Sequence, residues 1–165
     1  MKNQYWKINE DMRIEALKNF WSIKKGQVGG KIKSCTTLPR NDLPLWVGDH
    51  VKLGYGVKLG NGVKLGDYVK LGDHVKLGDH VELDYGVELG YYVKIGNRVK
   101  LGNDVKLGDH VKLGDHVELD NGVELFDNYI ELSNQGSIKR NILFHTKDSE
   151  VLVSVGCQVL SLIHI

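Results

Sequence analysis

From Val51 to Val123 an apolar–charged–apolar triplet recurs every six residues. Valine opens the unit thirteen times without a break, Lys or another charged residue follows, and Leu closes it, with Ile95 as the one variation. Val69-Lys70-Leu71 is typical. Two apolar side chains flanking a charged one is the alternation of a β-strand with one buried face. The fourth position is Gly in most units, as at Gly54, Gly72 and Gly108. Glycine there tolerates the bent backbone that ends a short strand. The fifth position is Asp, Asn or Tyr, and the sixth is His, Gly, Tyr, Arg, Asp or Asn. Asp, Asn and Gly accept turn conformations. Each hexad therefore predicts one short strand and one corner. A lone strand of this length buries nothing. Stacked coils bury a continuous core, because each strand pairs with equivalents about 4.8 Å above and below.

The number of hexads per coil is constrained by a longer repeat. Residues 69–89 and 105–125 are near-identical copies offset by 36 residues. A three-sided coil of 18 residues fits that offset as two whole turns and keeps every face in register; a two-sided coil of 12 also divides it. The segment Leu71-Gly72-Asp73-His74-Val75-Lys76 resembles the hexapeptide signature of left-handed parallel β-helix proteins. That resemblance implies an all-β fold with three flat faces and left-handed coils, although parallel crossovers in general are right-handed. It covers residues 45–128, from the degenerate unit Leu45-Trp46-Val47-Gly48 to Phe126-Asp127-Asn128, where the glycine is lost.

Residues 9–22 place Ile14, Leu17 and Trp21 roughly on one helical face. The surrounding sequence points elsewhere. Met12 to Phe20, followed by Lys25-Gly26-Gln27-Val28-Gly29-Gly30, resembles the N-terminal module of hexapeptide-repeat proteins of bacterial prophages, whose function is unassigned and whose superfamily includes the hexapeptide acyltransferases. The match departs at Lys31, where that family usually has an aromatic residue. It implies a strand, a turn and a segment entering the first coil, so residues 1–44 are expected to form a β-rich cap with Trp46 beneath or beside it. The Gly29-Gly30 pair reads as a tight turn; no Lys-Ser/Thr follows that would make it a phosphate loop. Residues 129–159 are expected to form a β-hairpin cap anchored by Phe126, Ile130 and Leu132, with β-rich runs at Asn141–Thr146 and Val151–Val155. Both caps would cover open sheet edges. Leu160-Ser161-Leu162-Ile163-His164-Ile165 is the literal translation of CTG TCT CTT ATA CAC ATC, which looks like a transposase end adapter from sequencing libraries. Residues 160–165 are therefore expected to be a scar, with the natural chain continuing past Val159 and no functional reading for His164.

Charge is uneven although the whole chain carries only +1. Residues 1–44 carry 9 basic and 4 acidic side chains, and residues 45–128 carry 10 and 14. No apolar run approaches membrane-spanning length and no signal peptide opens the chain, so a cytoplasmic protein without membrane attachment is expected. Cys35 and Cys157 lie far apart without metal-ligand spacing and read as free thiols.

Candidate chemistry is sparse. On an 18-residue coil His74 and His110 share a corner with Tyr92 between them, and His80 and His116 share another with Arg98 between. Pairs two rungs apart lie about 9.6 Å from each other, too far to ligate one metal. The resemblance to acyltransferases implies an alternative in which one of His74, His80, His110 or His116 is the general base for transfer from an acyl-CoA-type donor, in a trimer. Such enzymes build their cleft with an interrupting loop or a neighbouring subunit, and residues 45–128 contain no insertion. No catalytic residue, cofactor or metal is therefore assigned. Lys58, Lys76, Lys94 and Lys112 form an all-lysine ladder that could attract a polyanion. The nearby Asp79 and Asp115, the lack of interleaved aromatics and the acidic balance of the solenoid argue against nucleic acid. The sequence thus reads as a non-enzymatic scaffold or binding surface for an unknown protein partner, with homo-oligomerisation open.

Overall fold

The computed structural model describes residues 4–40 and 42–125 in full and, as backbone, the strands Glu131–Leu132, Ile142–Lys147, Glu150–Val155 and Gln158–His164. Its centre is a left-handed, three-sided parallel β-solenoid. Each hexad contributes a strand of two residues, the charged one and the leucine, while valine lies just before it. Strands pair with those 18 residues away: Glu82 with Lys64 and Lys100, Lys94 with Lys76 and Lys112. This closes three five-stranded sheets. The 36-residue copy is two coils, and the two-sided alternative falls.

Parallel pairing follows a fixed donor pattern. Lys58 N–H donates to the Val75 carbonyl at 2.9 Å, Gly60 N–H to Leu77 at 3.0 Å, and His74 N–H to the Tyr55 carbonyl one coil below at 2.7 Å. The core is the column of valines and leucines inside. Val57 to Val105 are fully buried at every hexad, and Leu65, Leu83 and Leu101 nearly so. Burying each is worth about 1.5–3 kcal/mol before chain entropy is subtracted. Val51 and Val123, near the two ends, are only half-buried.

Two glycine expectations change. The fourth-position glycines do not bend the chain through a left-handed φ. They let coils touch: a Cβ on Gly54 would lie 2.6 Å from the Asp73 nitrogen of the next coil. The left-handed residue is instead the sixth, with φ of 59° at His74, 58° at Tyr92 and 56° at Arg98.

The N-terminal segment folds as β1 (Trp6–Ile8), β2 (Arg13–Ala16) and β3 (Val28–Lys31), an antiparallel sheet with no helix across residues 9–22. Gly29 and Gly30 lie within β3, not in a tight turn. The reason is close approach. A Cβ on Gly29 would come within 2.9 Å of the Trp46 ring, and one on Gly30 would collide with the Gly48 carbonyl. Phe20 meets Trp46 edge-on at 6.4 Å, and both are buried. Arg13 ties the seam, donating from Nε to the Gly29 carbonyl and from a terminal nitrogen to Asp49, each at 2.5 Å. Trp46 thus sits beneath the cap.

At the other end Glu131–Leu132 pairs in parallel with Lys112–Leu113, in a coil one residue longer than the rest. Ile142–Lys147 and Glu150–Val155 form an antiparallel hairpin, and Gln158–His164 pairs with the latter. Phe126, Ile130 and Cys157 lie outside the described residues, as does the Leu132 side chain. Among the described residues no helix is long and apolar enough to cross a membrane. Cys35 is a free thiol.

Candidate binding surface

Because each strand holds one outward residue, each face displays one column. The third face carries Lys58, Lys76, Lys94 and Lys112 in direct register, then Glu131. The first alternates as expected, Lys64 with Glu82, Lys100 and Glu118. The second face runs Lys52, Lys70, Glu88, Lys106, Glu124. Sequence reading by hexads overlooked it, though the 18-residue offset would have exposed its pairs. It holds two tight ones: Lys70 Nζ to Glu88 at 2.6 Å and Lys106 Nζ to Glu124 at 2.7 Å. The hydrogen bond that Lys106 donates to Glu124, and then the Glu124 charge, raise the pKa of the Lys106 ammonium above its ordinary value. Opposite charges across strands contribute about 0.2–1 kcal/mol, and like charges cost a similar amount. Among the described residues no ion pair relieves Lys58, Lys76 or Lys94.

Acidic side chains at the fifth position serve the backbone. Asp73 Oδ1 accepts Tyr55 N–H, Asp79 accepts Asn61 N–H and Asp109 accepts Tyr91 N–H, each at 2.7 Å and each from the coil below. Asp115 accepts from Asn97 at 2.6 Å. An Asp or Asn here satisfies a corner N–H that the turn takes out of the ladder.

The four repeat histidines occupy two corners, and those two corners bound the third face. On the entering edge His74 stacks on Tyr92 at 4.9 Å, and Tyr92 stacks on His110 at 5.3 Å with planes 3° apart. The Tyr92 ring fills the space between the imidazoles. On the leaving edge His80, Arg98 and His116 line a shallow recess of about 340 Å³ with Asp79, Asn97 and Asp115. His80, His110 and His116 are exposed, and His74 is half-buried. Among the described residues no group of three His, Cys, Asp or Glu could hold a metal. A larger recess, about 550 Å³, lies at the cap seam against Arg13, Lys31, Asp49, His50 and Lys52.

The acidic excess is not on the third face. Asp49, Asp67 and Asp104 lie on the corner between the first and second faces, and Asp84 and Asp120 end first-face strands beside it. In a three-sided prism that edge is opposite the lysine ladder.

No family model matches the chain, and no curated protein matches it. Two solved structures share part of its geometry. Serine acetyltransferase isoform 3 from Entamoeba histolytica, in complex with cysteine, is 18% identical over 56% of this chain and 37% of its own, with a TM-score of 0.24. The acetyltransferase domain of PglB from Neisseria gonorrhoeae, in complex with acetyl coenzyme A, is 14% identical over 57% of this chain and 52% of its own, with a TM-score of 0.27. The chain thus spans about half or less of either. The likeness to both is partial and is one of coil geometry alone.

Proposed function

We propose that this chain is a non-enzymatic β-solenoid whose flat faces act as a rigid spacer or binding surface, cytoplasmic and of phage or prophage origin. The observation that carries the reading is the repetition of the histidine setting. His74 and His110 take the same left-handed corner against opposite sides of one Tyr92 ring, and His80 and His116 the same corner on either side of Arg98. A general base is a single residue placed about 2.6–3.2 Å from the atom whose proton it removes. Two pairs of imidazoles, each pair in a repeated setting on an outward corner, serve a pattern better than a reaction. The unbroken succession of coils from Trp46 to Leu125 adds support, since it offers no loop to wall a donor cleft. The prophage origin rests on the resemblance of residues 12–32.

The alternative is an acyltransferase-like enzyme using an acyl-CoA-type donor, with the cleft between subunits of a trimer. On its side stands the coil fold, which hexapeptide acyltransferases share. Melting the protein with and without CoA and acetyl-CoA separates the two. The scaffold reading expects no shift in midpoint. A shift that one His→Asn change abolishes, among His74, His80, His110 and His116, would overturn it in favour of the enzyme.

A further inference from the structure

We infer that the third face is the working face and that it binds a linear acidic polysaccharide laid along the solenoid axis; this rests on the binding-surface reading and names its ligand. Four lysines in register place an ammonium on every coil, a charge about every 5 Å along a straight line. Lys58, Lys76 and Lys94 are exposed, and among the described residues none is neutralised by an ion pair. The other two faces mix Lys with Glu along their columns.

Charge is arranged across the solenoid as well as along it. Among the described residues Asp49, Asp67, Asp84, Asp104 and Asp120 share the edge opposite the lysine face, whereas the two edges bounding that face hold two Asp each, so the solenoid carries a transverse dipole that turns the lysine face toward an approaching polyanion. Asp73, Asp79, Asp109 and Asp115 flank the face and keep their charge, but they stand on its two corner edges, each with an oxygen turned to a backbone N–H of the neighbouring coil. No aromatic residue interleaves in the ladder; the nearest ones stand on the edge beside it.

Those aromatic residues also choose among polyanions. Single-stranded nucleic acid is held by successive bases stacking on open ring faces. Here His74, Tyr92 and His110 turn their faces toward one another along the axis, leaving edges outward, Tyr55 packs edge-on against His74, and the exposed ring of Tyr91 is a single platform and not a succession of them. Duplex nucleic acid is read in sequence by elements that enter a groove; a flat face of two-residue strands has none and could meet only phosphates. An acidic polysaccharide needs neither. Its carboxylates or sulfates meet the lysine column, and its hydroxyls meet the polar edge of His80, Asn97, Arg98 and His116.

The test uses the full chain with heparin, polygalacturonate, neutral dextran and a single-stranded DNA of matched length, followed by calorimetry across 50–300 mM salt. Lys76→Gln with Lys94→Gln removes two charges from the third face. Lys64→Gln with Lys100→Gln removes two from the first face as a matched control. Thermal melting verifies that both variants fold. Expected are binding to one or both acidic polysaccharides, none to dextran, and weaker binding to DNA. The third-face variant should lose about tenfold or more in affinity, and its salt slope should fall by roughly two; the control should stay within about twofold of the parent. Equal losses in both variants, tighter binding to DNA, or no polysaccharide binding at 50 mM salt would overturn the inference. A CoA-dependent melting shift sinks the scaffold reading instead, and leaves the comparison of faces to be judged on its own data.

Discussion

The cap and the coils bury apolar surface by opposite means. In residues 4–40 every contact is made once: Phe20 against Trp46, Gly30 against Gly48, Arg13 against Asp49. In residues 46–125 the same contact is made at every coil, valine on valine and leucine on leucine, 18 residues apart. A repeated interface spreads its stability over nearest neighbours, so loss of one surface side chain is absorbed while a break in the core severs the stack. A unique interface has no such reserve.

The comparison is broken most severely from inside the stack. Leu89→Asp puts a carboxylate into the mid-solenoid core, where Leu89 is only 4% exposed. It should cost about 4 kcal/mol or more, by burying an unpaired charge and parting two neighbour interfaces. The urea midpoint should fall far below that of Lys94→Ala on the surface. Equal midpoints would mean that the coils do not depend on one another.

Next comes the seam. Gly30→Val places side-chain atoms where the Gly48 carbonyl and the Val47 side chain already stand. About 3 kcal/mol is expected from overpacking against backbone, together with self-association once the first coil presents open edges. Size-exclusion chromatography should show larger species than the parent. Elution and stability equal to the parent's would show that the cap does not depend on this close approach.

The corners should be far more tolerant. Replacing His74, His80, His110 and His116 together by Asn should leave stability within about 1 kcal/mol. Asn accepts the left-handed φ these positions hold, which offsets the lost ring stacking. A large drop would reveal that the stacked rings, not the core, hold the coils.

The smallest effect belongs to a single pair on the second face. Glu124 raises the pKa of the Lys106 ammonium above its ordinary value, chiefly by accepting a hydrogen bond from it. A raised ammonium stabilises the fold fully below its unfolded value, and that contribution fades as pH climbs through the higher folded value. Lys106→Met should therefore melt slightly below the parent at neutral pH and converge with it at strongly alkaline pH. A gap that widens with alkalinity would contradict the assignment.

The period of six, with apolar residues at its first and third places, determined the strands, the buried positions and the coil corners, because alternation is a local property of the extended chain. Asp and Asn at the fifth position were legible as corner residues. Their bond to the neighbouring coil was not, since that donor lies 18 residues away. The 36-residue copy allowed two coil sizes, and only closure of the parallel sheets chose three sides over two. Closure then decided which lysines share a column, which glutamates meet them at Glu88 and Glu124, and why the fourth position is Gly: at Gly54 the next coil leaves no room for a Cβ. It also set the acidic edge opposite the lysine face, an arrangement that net charge along the chain had hidden. The physical reason is common to all of these. Periodicity specifies a residue's surroundings within one strand, whereas the meeting of coils is a long-range pairing, fixed only when backbone hydrogen bonds and close packing are satisfied together.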